Sequence, residues 1–228
     1  MSDFVIAPEA IPAVPVAGGG RYPVRRIYCV GRNYAEHARE MGSDPDREPP
    51  FFFMKPAGAI VTGGADTPYP PACRSLHFEL ELVAAIGTGG AEIEPEQALD
   101  HVWGYGVGLD LTRRDLQSEA KRTARPWCMA KGFDASAPIG DLIPVPPAGH
   151  PTSGTIELSV NGSVRQNSDL SLMIWSVAET IVHLSRLVRL EPGDLLFTGT
   201  PAGVGPVERG DRLVGRVDGI GTLVTTIV

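Results

Sequence analysis

The sequence predicts an α+β fold that is mostly β, and three observations carry the prediction. Glycine and proline supply 27 and 21 of its 228 residues, which sets turns close together and favours short strands over long helices. Runs such as RIYCVG, HFELELVAAIG and TIELSV have the length and the apolar or alternating pattern of strands. One stretch alone, SLMIWSVAETIVHLSRLVRLEPGD, keeps apolar residues at three- and four-residue spacing over several turns. A chain of this length can bury a sizeable core as one large domain.

In chain order, residues 1–21, rich in Ala, Pro and Gly, read as an N-terminal arm or short docking segment, and the domain proper spans 22–228. RIYCVG is its first strand. NYAEHAREMG, opened by Asn33 and closed by Gly42, predicts a short helix. SDPDREPP breaks it, and FFFMKPAGAIV resumes as strand. HFELELVAAIG reads as one strand, PEQALDHV as a helix with Pro95 in its first turn, WGYGVGLDLT as a glycine-bearing strand ending at Asp110, and RRDLQSEAKR as a helix. TIELSVNGSVRQNS predicts a hairpin, because Asn161-Gly162 accepts positive φ at both turn positions. The amphipathic helix follows through Val188, ended by Pro192 and Gly193; strands at Leu195–Thr198, Arg212–Val217 and Gly221–Val228 complete the chain.

Composition narrows function by exclusion. The formal net charge of -7 comes without the basic stripe that nucleic acid or an anionic membrane requires. Cys29, Cys73 and Cys128 are odd in number and in no CxxC spacing, which argues against a disulfide framework and for a reducing cytoplasm. The first residues lack a basic stretch leading into an apolar run, and no later stretch has the length to span a bilayer. The expectation is a soluble, cytoplasmic protein.

The chemistry-bearing residues cluster in a few motifs. Glu79 and Glu81 fall on one side of their strand, a side that continues into Val83 and Ala85 and is not uniformly wet. Either this is the solvated face of an edge strand, or the two carboxylates meet a cation. Asp110, at the end of a strand carrying Gly104, Gly106 and Gly108, is a third candidate oxygen ligand. Three carboxylates suit a hard divalent cation, Mg²⁺ or Mn²⁺, with Ca²⁺ also admitted. The histidine and cysteine spacings disfavour structural zinc, and His77 reads as a hydrogen-bonding or surface residue. His37 and Glu40 share a helix face, where a His-carboxylate pair can activate water; a surface ion pair would show the same spacing. Lys131 precedes a glycine turn, where its ammonium is either solvated or placed to steady an enolate. FTGTPAGVG offers hydroxyls and free amides to an anion but lacks the Lys-Ser/Thr of a nucleotide loop.

Taken together, GRNYAEHAREMG, FFFMKPAGAIV, HFELEL, GYGVGLDLTRRDLQ, KGFDASAPIG, VNGSVRQ and PGDLLFTGTPAGVGPVERGD closely resemble the fumarylacetoacetate hydrolase family, from about Tyr22 to Val228. The resemblance implies a mixed, rolled β-sheet, a homodimer, and cleavage of carbon-carbon bonds in 1,3-dicarbonyl acids or decarboxylation of keto acids. By motif it makes Glu79, Glu81 and Asp110 the metal ligands and His37 with Glu40 the catalytic pair on a mobile lid. Lys131, Arg114 and Gln117 become contacts to the substrate or its enolate, Thr200 a carboxylate-binding position, and Arg32 part of the same wall.

Within the family, RYPVRRIYCVGRNYAEHAREMG and DREPPFFFMKPAGAIV look most like members that split fumarylpyruvate into fumarate and pyruvate in gentisate degradation. Hydrolysis of maleylpyruvate or another acylpyruvate, and decarboxylation of oxaloacetate, stay open. Met54 stands where many such members have Gln, which would alter acyl-end recognition if residue 54 faces the pocket. Arg25, Arg26, Arg47 and Lys55 are either solvated charges or contacts to a second substrate carboxylate.

Overall fold

The computed structural model describes residues 4–40 and 48–228. Its largest sheet has six strands in the order Ile143–Pro144, Val102–Leu109, Leu80–Ile86, Asp194–Phe197, Arg26–Gly31 and Phe51–Lys55. Asp194–Phe197 runs parallel to Arg26–Gly31 and all other neighbours are antiparallel, so the sheet is mixed. A four-stranded antiparallel sheet holds Ser163–Asp169, Thr155–Val160, Arg212–Val217 and Gly221–Thr226.

Both faces of Leu80–Ile86 are covered, and all seven of its residues are buried. Leu80, Leu82, Ala84 and Ile86 join a core with Leu158, Leu213 and the helix Val177–Ser185, while Val83 and Ala85 join a second core with Ile27, Leu195 and Phe197. Glu81 has the parity of Val83 and therefore points into protein, where it is 1% exposed. The solvated-edge reading of this strand is thereby excluded.

The expected single strand HFELELVAAIG is in fact two. Leu76–Phe78 pairs in a three-stranded sheet with Gly205–Val207 and Thr112–Arg113, and Leu80–Ile86 belongs to the six-stranded one. The partner chain segment switches at the matching place: Leu80 faces Leu109 in one sheet and His77 faces Thr112 in the other. Glu79 and Asp110 are the residues at this shared corner, joined by the Asp110 N–H donating to Glu79 O at 2.8 Å.

Other elements depart from expectation for identifiable reasons. The long helix shortens to Val177–Ser185, after a separate 3₁₀ turn Leu170–Leu172. Ser176 and Glu179 form a capping box that starts the helix afresh, and the Asn33 side chain holds both the N–H and the carbonyl of Trp175 just before it. PEQALDHV is a 3₁₀ helix, Pro95–His101. The short helix is Ala35–Glu40; its proposed closing Gly42 lies outside the described residues. Asn161 and Gly162 have φ of 51° and 79°, as the predicted hairpin turn requires. Ala13–Pro15 pairs with Arg21–Pro23 and Val14 is fully buried, so packing starts N-terminal of the expected boundary at Tyr22. No helix among the described residues is long and apolar enough to cross a membrane.

Candidate active site

At the corner where two strands change sheets, Glu79, Glu81 and Asp110 each offer an oxygen within 4.8 Å of the others, and all three are buried. Lys131 Nζ donates to Glu79 Oε2 at 2.8 Å and to Asp110 Oδ2 at 2.6 Å. Arg114 donates to the other Glu79 oxygen at 2.5 Å and to Gln117 Oε1 at 2.6 Å, which fixes one face of the helix Arg114–Arg122 against the site. Glu81 accepts from the Gly199 N–H at 2.8 Å.

The electrostatics separate the two glutamates. Burial works against the charge of Glu79, but Lys131 and Arg114 outweigh it and hold the carboxyl below the usual carboxylate range. Glu81 is pushed well above that range, by burial first and then by the Asp110 and Glu79 charges. Lys131 is likewise opposed by burial, yet Asp110 and Glu79 hold it above the ordinary lysine range, so it stays cationic.

A divalent cation fits this set. Its donors are three hard carboxylate oxygens that lie within 4.8 Å of one another, and Glu81 lacks the paired cations, Lys131 and Arg114, that Glu79 has.

Lys55 was expected at the surface or against a substrate carboxylate; it is instead 2% exposed beneath the site. Its ammonium lies 2.8 Å from Asp110 Oδ1 and donates to the Leu111 and Lys131 carbonyls at 3.1 and 2.5 Å. Strand alternation explains the placement: Phe51, Phe53 and Lys55 share the side that faces the cleft, whereas Met54 is 47% exposed on the other side and does not line it. Residue 54, the position of the Gln-to-Met departure, therefore does not face the cleft. Replacing Lys55 by Met is expected to cost about 1–3 kcal/mol, because it removes the buried partner of Asp110 Oδ1 while Lys131 still holds Oδ2; urea unfolding reads the loss. Arg25 and Arg26 are also outside the cleft, paired with Asp194 at 3.7 and 2.6 Å. Arg47 lies outside the described residues.

His37 is buried, and its Nδ1 lies 3.4 Å from Glu40 Oε2, so the expected pair forms. Glu40 Oε2 also accepts from the Gly203 N–H at 3.2 Å, which ties the helix Ala35–Glu40 to the glycine-rich loop. With Nδ1 directed to Glu40, Nε2 is the ring atom left for a proton acceptor role. Burial lowers the His37 pKa more than Glu79 and Glu40 raise it, keeping the ring neutral. His77 is pushed down to about 4 by burial and then Arg114; its Nε2 meets Ser75 Oγ at 3.1 Å, in keeping with a hydrogen-bonding residue rather than a ligand.

Arg32, His37, Arg114, Gln117, Lys131 and Thr200 line one cleft with the three carboxylates. Thr200 Oγ1 accepts from Gln166 Nε2 at 2.8 Å, and Gln166 Oε1 accepts from the Leu80 N–H at 3.0 Å. Gln166 thus joins the glycine-rich loop to the corner strand. It escaped the sequence reading although it sits within VNGSVRQ; a fully buried amide on an otherwise exposed stretch of strand is its signal. The loop itself demands glycine: Gly199 has φ +92°, and an added Cβ would lie 2.6 Å from the Asn33 Cβ. Gly199→Ala is expected to destabilise by about 1–3 kcal/mol, read as a shift in the urea midpoint.

The fold and cleft define a class of protein built on a mixed β structure around a buried carboxylate triad with an adjoining His-Glu pair. The chain belongs to the fumarylacetoacetate (FAA) hydrolase C-terminal family, whose model matches residues 26–228. The fold superposes with TM-score 0.97 on a crystal structure of fumarylpyruvate hydrolase from Pseudomonas aeruginosa in complex with Mn²⁺ and pyruvate, at 55% identity and 99% coverage of each chain. Fumarylpyruvate hydrolase from a Ralstonia species is 41% identical over 82% of this chain and 98% of its own. A mitochondrial oxaloacetate tautomerase from Mus musculus is also 41% identical, over 86% of this chain and 88% of its own.

Proposed function

We infer that this protein is a metal-dependent hydrolase that cleaves fumarylpyruvate, a 2,4-diketo acid, to fumarate and pyruvate. The observation that carries this reading is the convergence of His37 with Glu40 on the cleft that holds Glu79, Glu81 and Asp110. The Mn²⁺ and pyruvate named with the Pseudomonas aeruginosa relative support it.

A divalent ion, Mg²⁺ or Mn²⁺, held by Glu79, Glu81 and Asp110 would supply Lewis-acid polarisation of an α-keto carboxylate and stabilise enolate charge. His37, oriented by Glu40, takes a proton from water as the oxygen bonds to the carbonyl carbon of the acyl end. The carbon-carbon bond between that carbon and the methylene breaks, its electron pair passing to the pyruvate fragment as an enolate. In this reading the Lys131 ammonium donates a hydrogen bond to the enolate oxygen, and Arg114 and Thr200 orient the substrate; their lining of the cleft supports these roles. Protonation of the methylene carbon completes pyruvate, and the acyl end leaves as fumarate.

The test is turnover of fumarylpyruvate by metal-stripped and Mn²⁺-restored protein, with both products identified and acetylpyruvate and oxaloacetate run beside it. Metal-dependent release of fumarate and pyruvate upholds the reading. Activity confined to oxaloacetate would instead select a proton-transfer or decarboxylation reaction, the first of which the tautomerase relative supports. Neither needs an attacking water. The family resemblance extends the proposal to a homodimer, which sedimentation reads directly.

A further inference from the structure

The cleft holds more positive charge than its carboxylates use. Arg114 and Lys131 are paired with Glu79 and Asp110. Arg32 and Lys121 line the same cleft, half-buried, with no carboxylate partner among the described residues. Each lies instead over an aromatic ring, Arg32 5.5 Å from the Phe51 centroid and Lys121 5.2 Å from that of Trp127. Phe51 and Trp127 themselves pack edge to face at 5.4 Å, so the two cations are carried by one apolar wall.

We propose that Lys121 and Arg32 form a subsite for a second carboxylate at the acyl end of the substrate, so that the cleft favours dianionic acylpyruvates over those with a short neutral acyl group. This rests on the acylpyruvate reading above and extends it. Helix geometry supplies the length. Arg114, Gln117 and Lys121 share one face of the helix Arg114–Arg122, with Arg114 at the triad end and Lys121 two turns further on, a rise of about 10 Å. An extended diacid of fumarylpyruvate's length spans about 7.5 Å between its end carbons, which brings one carboxyl to the triad end and the other within reach of Lys121.

Arg32 is held for such a role. Its φ of 56° is a conformation that residues with side chains rarely adopt. The next residue, Asn33, is fully buried and fixes the bend: its amide donates to the Trp175 and Thr198 carbonyls at 2.8 and 2.7 Å and accepts from the Trp175 N–H at 2.7 Å. The apolar wall between the two ends suits a planar alkenyl stem. Burial, then Arg114 and Arg32, push the Lys121 ammonium down in pKa, a cost that a bound anion relieves.

The test compares Lys121→Met and Lys121→Arg with the parent on two probes, fumarylpyruvate and acetylpyruvate, in Mn²⁺-loaded protein of verified fold. Loss of one charge-assisted hydrogen bond is expected to raise KM for fumarylpyruvate by about 10–100-fold in Lys121→Met, with acetylpyruvate changed less than about 3-fold and Lys121→Arg largely rescued. Equal effects on both acids, or none on either, overturn the subsite. Calorimetric binding of both acids in a His37→Ala background keeps the two readings apart. If the parent releases no fumarate and pyruvate, the hydrolase reading fails, while the binding comparison still decides the subsite. Preference for fumarylpyruvate that disappears with Lys121→Met supports it, and no such preference in the His37→Ala protein overturns it.

Discussion

Removal of divalent metal, or the substitution Glu81→Gln, is expected to lower fumarylpyruvate turnover by about 10³-fold or more, a barrier increase of about 4 kcal/mol. The reason lies in the charge balance of the corner. Glu79 has Lys131 and Arg114 as partners, whereas Glu81 has the Gly199 amide and two neighbouring carboxylates. Glu81 is thus the candidate ligand whose ionised form depends most on a cation. An isosteric amide keeps the packing and forfeits the charge, so folding should survive while the metal is lost. Two measurements separate the effects: Mn²⁺ affinity by calorimetry and turnover after metal is restored. Restoration should recover the parent fully and Glu81→Gln hardly at all. A stripped protein that retains parental rates would remove the metal from the mechanism.

His37→Ala is expected to lower kcat by about 10²–10⁴-fold with little change in KM, the range for loss of a positioned general base. His37 holds no substrate end in this reading; its task is the proton of the attacking water. The pH profile gives an independent check. Because burial lowers the His37 pKa, the ring stays neutral below the ordinary histidine value of about 6.5, and the acid limb of kcat/KM should fall at lower pH than that. The sign for stability is the same. The unfolded chain takes up the proton first as pH drops, so this residue's contribution to stability declines from about 6.5 downward toward its folded value. An acid limb at or above the ordinary value, or a His37→Ala protein that turns over normally, would assign the base elsewhere.

Residue chemistry and local conformation were legible in the sequence. Asn161-Gly162 dictates its hairpin because two adjacent positions accept positive φ, and Arg212–Val217 has its strand bounds written in local pattern. The candidate ligands Glu79, Glu81 and Asp110 do converge, because Glu79 and Asp110 mark the chain positions where two paired strands turn together. The helix from Ser171 to Val188 was overextended because its apolar spacing continues through Trp175, where Asn33, distant in sequence, captures the backbone.

What the sequence by itself determined, then, is which groups are available and which of them share a side of a strand or helix. Periodicity of two relates neighbours on one strand, but it cannot say which side meets solvent when other segments cover both. That decision belonged to the tertiary structure. It turned Glu81 inward beside a core face, buried Lys55 against Asp110, and sent Met54 away from the cleft. It also lodged Gln166 between the loop at Thr200 and the corner at Leu80. Each outcome depends on a partner far along the chain, and the energy of burying a charge or an amide is set by that partner rather than by the residues beside it.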